Sequence, residues 1–321
     1  MTFFSRTVVI FFLLLFCTMS SAVPTKPFTI ILDWLINPTH GPILIAQEKG
    51  FFKAEGLDVV IIAPADPTDT AKMVAIGKAN IGIGSDPELL LFINQALPLV
   101  RVGALIDQPL EALTANTGAG IKTINDLKGK TIGYSVGGVD KVILSIMLQH
   151  ANLTLNDVTL VNVHYDLVEA LISTRVEAIT GALRNYEVPE LRLQKFPITT
   201  FYPEKYGMPR YAELNYIINP NSKNDPRLGK FLRAIQKATL YIKEHPQQSW
   251  SIMLKKYPEL DNRLNEISWH MTYPLFANDP GYTNQENFTK LITTMQNTNW
   301  LGKKVNYQQC VVRIAPAREF L

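Results

Sequence analysis

Five polar stretches of the chain carry residue types that can do chemistry. The first, Asp33-Trp34-Leu35-Ile36-Asn37-Pro38-Thr39-His40-Gly41, brings together a tryptophan, an amide and an imidazole. A tryptophan at a strand end can stack on a flat ligand, worth about 0.5–1.5 kcal/mol beyond the area it buries. It can equally fill the core beneath its loop, and composition alone favours that role. His40 can cap the following helix or hydrogen-bond a ligand, and both readings stay open. The second stretch, Gly84-Ser85-Asp86-Pro87-Glu88, has two good caps, Ser85 and Asp86, ahead of a helix opened by Pro87. Capping is the commoner use of such a loop, although a helix N-terminus also offers free N–H groups to a bound polar group. The third, Ser135-Val136-Gly137-Gly138, lets a backbone approach a ligand closely, but its spacing matches neither the P-loop nor the dinucleotide-binding fingerprint. The fourth runs Gly181-Ala182-Leu183-Arg184-Asn185-Tyr186-Glu187. A carboxylate there, Glu187, can accept two parallel hydrogen bonds from the exocyclic amine and protonated ring nitrogen of a heterocycle. The alternative is a surface pair with Arg184, worth little. The fifth, from Tyr206 to Leu214, holds Tyr211 and Glu213.

The elements between these stretches decide whether they can meet. Phe28 to Leu32, Leu57 to Ile62, Ile81 to Gly84 and Pro98 to Leu105 read as strands, being short, β-branched or continuously apolar. Helices are expected over Ile43 to Lys49, with Gly50 as the stop, over Asp69 to Lys78 and over Pro87 to Ala96. A second series begins near Ile121, with strands at Thr131 to Tyr134, Val158 to Val163 and Ala178 to Gly181. Its helices cover Asp140 to His150 and Leu167 to Thr174. A strand at Asn215 to Ile218 follows, and beyond Pro226 the pattern is helical over Leu228 to His245, Gln247 to Lys256 and Asn284 to Gln296. Strands alternating with helices imply an α/β fold with parallel units. Ligands in such sheets sit beyond the carboxyl ends of the strands, which is where the polar stretches fall. The expected division is one lobe from 23–114 with 212–321 and a second lobe from 115–211, crossed by strands near Leu113–Asn116 and Tyr211–Asn215.

The chain has 321 residues, 47% hydrophobic and 18% charged, which suits two compact domains. A formal charge of +3 without a dense Lys/Arg run gives no footprint for nucleic acid. Arg6, an apolar run from Val8 to Phe16 and the small residues Ser20-Ser21-Ala22 have the three parts of a secretory leader. Cleavage is expected after Ala22, leaving about two net positive charges. A lipid anchor at Cys17 is the rival, disfavoured by the bulky Phe16 before it. Cys310 would then stand alone, with no internal disulfide, and the scattered histidines form no zinc pattern.

Taken together, the stretches resemble the thiamine-pyrimidine-precursor binding proteins, an SsuA/THI5-like branch of the type II periplasmic binding proteins. The resemblance runs from about Phe28 to about Asn219. "EKGFF" (residues 48–52) and "DLKGKTIG" (residues 126–133) point only to the fold. The stretches from Asp33 to Pro42, Gly133 to Gly138 and Arg184 to Glu187 are narrower and carry the ligand class. The family implies a cleft that closes by hinge motion on an aminopyrimidine and delivers it to an ABC-transporter permease. Trp34 would stack on the ring and Glu187 would accept from its amine edge, with Asn37 and His40 lining the cleft. Tyr186, Tyr211 and Glu213 would be wall residues, and Ser135, Gly137 and Gly138 would offer backbone N–H groups. Ring burial with one charge-assisted pair suits micromolar affinity, about −8 kcal/mol.

Two departures stand out. Ser85-Asp86 replaces a Tyr-Gln pair common in the family, and Asp140 is followed by Lys141 where an acidic pair is usual. An added carboxylate at Asp86 would favour a cationic or amine-rich ligand. The same fold includes pyrimidine synthases that use a Schiff-base lysine and a sacrificial histidine. Gly84 and Glu88 stand at those places here, and the cysteine-rich iron-binding stretch is missing. The expectation is therefore a binder without cofactor rather than an enzyme. Alkanesulfonate, nitrate and taurine receptors are the main alternative, and these would prefer cationic or neutral donors to acids in the cleft.

Overall fold

The computed structural model describes residues 26–314. The expected leader, its cleavage site and the Cys17 alternative lie outside the described residues. Among the described residues the strands are β1 (Phe28–Ile31), β2 (Val59–Ile62), β3 (Ile81–Gly84), β4 (Val100–Ile106), β5 (Glu111–Asn116), β6 (Thr131–Tyr134), β7 (Thr159–Asn162), β8 (Ala178–Leu183), β9 (Ile198–Phe201) and β10 (Leu214–Ile218). They form two five-stranded sheets, ordered β2-β1-β3-β10-β4 and β7-β6-β8-β5-β9. In the first, β1 pairs parallel with β2 and β3, and β10 runs antiparallel between β3 and β4. The second repeats this plan, with β6 parallel to β7 and β8, and β5 antiparallel between β8 and β9. The chain passes between the sheets twice, over residues 107–110 and 202–213.

The local sequence explains the strands. Every residue of β3 is buried, as a central strand with covered faces requires. Gly82 is obligatory there, because a Cβ would lie 2.7 Å from Val74 Cγ2. β2 lies at a sheet edge, with Val60 and Ile62 exposed. Helix Pro226–Glu244 covers the first sheet through Phe231, whose ring stacks on Phe52 at 5.8 Å and meets Tyr216 edge-on at 5.0 Å. Full burial of each such ring contributes about 1.5–3 kcal/mol.

Several boundaries differ from the sequence expectation. β5 lies wholly in the second sheet, so the first crossing precedes residue 111 rather than falling at 114. The helix expected over Asp69 to Lys78 is confined to Thr70–Ala75, and Gly77 beyond it is left-handed at φ 72°. β9, a short and mostly half-buried edge strand, and helix Arg263–Thr272 have no counterpart in the expectation. Glu187 does not end a loop but opens helix Glu187–Leu193.

Candidate functional site

The loop after β1 is built by its own side chains. Asn37 caps the 3-10 turn Pro38–His40, its Oδ1 accepting from Thr39 N at 2.8 Å and Thr39 Oγ1 at 2.6 Å. The Asn37 N–H donates to His40 Nδ1 at 3.3 Å, which leaves Nε2 to carry the proton and donate to Asp33 Oδ1 at 3.0 Å. His40 is wholly buried, so it holds Asp33 and the turn in place rather than facing a ligand. Trp34 is half-buried and meets Tyr165 edge-on at 4.4 Å and 68°. The Tyr165 hydroxyl donates to Pro64 O at 3.2 Å. Both contacts join loops that follow strands of opposite sheets.

A cavity of about 870 Å3, its open mouth included, is lined from both sheets. Asp33, Trp34, Asn37 and Thr39 come from the loop after β1, and Gly84, Ser85 and Glu88 from the end of β3 and the helix it feeds. Ser135 and Val136 follow β6, while Leu183, Tyr186 and Glu187 end β8 and open the next helix. Glu111 and Glu213 enter at the two crossings. These are the carboxyl ends of parallel strands, where open α/β sheets bind ligands. Among the described residues the lining holds six carboxylates, Asp33, Glu88, Glu111, Asp140, Glu187 and Glu213, and no Lys or Arg.

Backbone donors hold most of these acids. Glu213 Oε2 accepts from Leu110 N at 2.6 Å and Glu111 N at 2.9 Å, tying the crossings together. Glu111 Oε1 accepts from Thr180 Oγ1 and Gly181 N, both at 3.0 Å. Asp140 Oδ2 accepts from Ser135 N at 2.8 Å and Val136 N at 2.9 Å. Glu187 Oε2 accepts from Leu183 N at 2.7 Å. Gly181 is left-handed at φ 86°, and a Cβ there would lie 2.6 Å from Asp140 Oδ2.

Burial outweighs these hydrogen bonds and raises the acids' proton affinities. Burial, with the charge of Asp33 next, lifts Glu88 to about 8. Burial lifts Asp140 to about 7, with Glu213 adding to the rise. Glu111 stands well above the usual range through burial, then the charges of Asp140 and Glu213. Glu213 is raised by burial as well. Burial also lifts Glu187 to about 7, but the neighbouring charge acting on it is that of Glu190, outside the cavity. Beyond burial, Glu88, Glu111 and Asp140 are thus each raised in part by another acid of the cavity, whereas Glu187 is raised by Glu190.

Trp34, Asn37, Ser85, Ser135, Tyr186, Glu187 and Glu213, expected from sequence, line this one cavity. His40, Asp86, Gly137, Gly138 and Tyr211 do not. Asp86 opens helix Asp86–Asn94 with its side chain turned into the protein, where Arg101 Nη1 donates to Oδ1 at 2.7 Å and Oδ2 at 2.6 Å. Asn215 Nδ2 and Ala212 N complete its partners at 2.7 and 2.8 Å. Its charge is answered there, so it adds none to the cleft. Ser85 caps the helix, its Oγ accepting from Glu88 N at 3.3 Å. A Cβ on Gly138 would sit a tight 3.2 Å from Leu91 Cδ1, so that glycine serves packing, whereas one on Gly137 would make only an ordinary 3.7 Å contact with the Tyr134 ring. The N–H groups of Ser135 and Val136 go to Asp140 rather than to a ligand. Burial, then the charge of Glu213, raises the Tyr211 phenol well above the ordinary value. Arg184 pairs with Glu204 at 2.7 and 2.9 Å, not with Glu187. The residues that sequence reasoning missed are chiefly Asp33, Glu88, Glu111 and Asp140. One signal was present: Glu111 heads the uncharged, mostly apolar run Ala112-Leu113-Thr114-Ala115, where a carboxylate needs a reason.

Two mixed α/β sheets joined by two crossings, with a cavity lined from both, define a periplasmic-binding-protein fold. The solved alkanesulfonate-binding protein SsuA from Xanthomonas axonopodis pv. citri, bound to MOPS, shares it with a TM-score of 0.72 at 14% identity, covering 92% of this chain and 100% of that one. A family model described as NMT1/THI5 like matches residues 37–249, and the chain belongs to that family. It is 38% identical over 290 residues to a Haemophilus influenzae protein named for thiamine biosynthesis, covering 90% of this chain and 92% of the relative. It is 29% identical to the formylaminopyrimidine-binding protein of Halalkalibacterium halodurans, covering 86% of each. It is also 29% identical to a 4-amino-5-hydroxymethyl-2-methylpyrimidine phosphate synthase of Saccharomyces cerevisiae, covering 79% of this chain and 78% of that one.

Proposed function

We propose that this chain is an exported solute-binding protein that captures an aminopyrimidine thiamine precursor and presents it to an ABC-type permease. The observation that carries this reading is the position of Glu187, buried beside Tyr186 in a cleft whose described lining has no Lys or Arg. Its Oε2 takes Leu183 N, and the carboxyl's further acceptor capacity is assigned to the amine edge of a flat ring, with Trp34 as the ring's platform. Closure follows hinge motion at residues 107–110 and 202–213, and ligand that bridges the sheets stabilises the closed state. The acidic lining argues against nitrate, taurine or alkanesulfonate, whose anionic groups prefer cationic or neutral donors to acids.

The synthases among the relatives raise an enzymatic alternative. By resemblance, their Schiff-base lysine falls at Gly84 and their sacrificial histidine at Glu88, and a Cβ at residue 84 would lie 2.8 Å from Glu88 Oε2. This favours binding over synthesis. Calorimetry separates the readings: hydroxymethyl- and formylaminomethyl-pyrimidines bind near micromolar affinity, whereas pyridoxal phosphate, nitrate and taurine do not. Binding of the anions alone would overturn the proposal. Glu187→Gln loses most of the pyrimidine affinity, and undiminished binding would remove Glu187 from the role.

A further inference from the structure

The cavity has an acidic pole that recognition by Glu187 does not use. Glu88, Asp140 and Ser135 line the same cavity, and Ser135 N donates to Asp140 Oδ2 at 2.8 Å. Gly84 makes the room for this pole, since a side chain there would meet the Glu88 carboxyl. A second observation points to a ligand. Ser135 is 3% exposed and lines the cavity, yet its hydroxyl has no hydrogen-bond partner in the protein. A buried hydroxyl left unpaired costs about 1–3 kcal/mol, so a group that satisfies it when bound gains affinity there. Asp140 reserves one oxygen for Ser135 N and Val136 N and keeps the other for a further donor.

Several acceptors converging without a cation fit a group with several N–H donors and a positive charge. A primary ammonium has three donors and no acceptor. A neutral hydroxyl has one donor, and a phosphate brings negative charge into a lining with no Lys or Arg to answer it. We propose that Glu88, Asp140 and Ser135 form a second recognition pole for a primary ammonium on the side arm of the bound ring, so that the cleft selects an aminomethyl arm over a hydroxymethyl arm and rejects a phosphate ester. This rests on the aminopyrimidine reading above and names the substituent that the same site prefers.

The test is calorimetry at neutral pH with the aminomethyl, hydroxymethyl and phosphomethyl forms of one aminopyrimidine. Wild-type protein is expected to bind the aminomethyl form about tenfold or more tighter than the hydroxymethyl form, and to show no binding of the phosphate ester. In Glu88→Gln the aminomethyl-to-hydroxymethyl ratio falls toward one. Ser135→Ala lowers the same ratio without removing a carboxylate. A ratio within one protein is unaffected by partial unfolding, which weakens both ligands together. Equal affinity for the two forms in wild type, or a ratio unchanged in both variants, overturns the second pole and leaves the aminopyrimidine reading standing. Failure of every pyrimidine to bind overturns that reading and the pole with it.

Discussion

Replacing Asp86 with alanine is expected to destabilise the protein by about 3–5 kcal/mol, the cost of stranding a buried charge. Asp86 and Arg101 are 2% and 1% exposed. In the native chain one guanidinium nitrogen reaches both Asp86 oxygens, at 2.6 and 2.7 Å, while Asn215 Nδ2 and Ala212 N fill the remaining acceptor sites. Without the carboxylate, Arg101 keeps a good bond from Nε to Gly103 O at 3.1 Å. Its remaining partners are poor: Asp107 at 3.4 Å and Tyr282 O at 3.5 Å. Such a loss is a large share of the about 5–15 kcal/mol that holds a typical domain. Urea denaturation followed by circular dichroism measures it. Pairing Asp86→Leu with Arg101→Met should recover much of the loss, because removing both charges avoids the stranded one. A loss below about 1 kcal/mol for Asp86→Ala would refute the assignment of Asp86 as the main partner of the buried guanidinium. The effect should also reach the cleft, since Ala212 lies on the second crossing.

Gly103→Ala should fold poorly or not at all, because the new Cβ would lie 1.9 Å from the backbone oxygen of Pro280; soluble yield and thermal midpoint report it. Tyr165→Phe removes the hydroxyl bond to Pro64 O, and the ligand off-rate should rise about three- to tenfold by stopped flow, from a bond worth about 0.5–1.5 kcal/mol. Stability without ligand should fall as pH rises. Glu88, raised from 4.5 to about 8, Asp140, from 3.8 to about 7, and Glu187, from 4.5 to about 7, bind more protons folded than unfolded. Their contribution is full below the unfolded values and is lost as pH climbs through about 7 to 8. Urea midpoints measured at about pH 5 and about pH 9 check this, and a higher midpoint at the alkaline end would contradict it.

The alternation of strands and helices was legible because β-branched runs and glycine stops are local signals. The loops that end β1, β3, β6 and β8 were legible for the same reason, and with them Trp34, Asn37, Ser85, Ser135, Tyr186 and Glu187. What was not legible depends on distant partners. Asp86 reads as a cleft acid until Arg101 and Asn215, from other strands, claim it. His40 reads as a ligand contact until Asp33 and Asn37 close around its ring. Glu88 and Asp140 sit inside helices whose sequence does not say which face meets a cavity. β9 escaped notice because a short edge strand carries little apolar periodicity.

The threading of β10 has a consequence for how the molecule is made. This strand sits between β3 and β4 yet arrives only after the whole second sheet has been laid down. A nascent chain that has reached residue 201 has the second sheet's strands complete while the first still has a gap, with the edges of β3 and β4 unpaired. Pairing across so long a stretch of sequence is slow. The first sheet therefore cannot become continuous until the strand from Leu214 to Ile218 takes its place between β3 and β4.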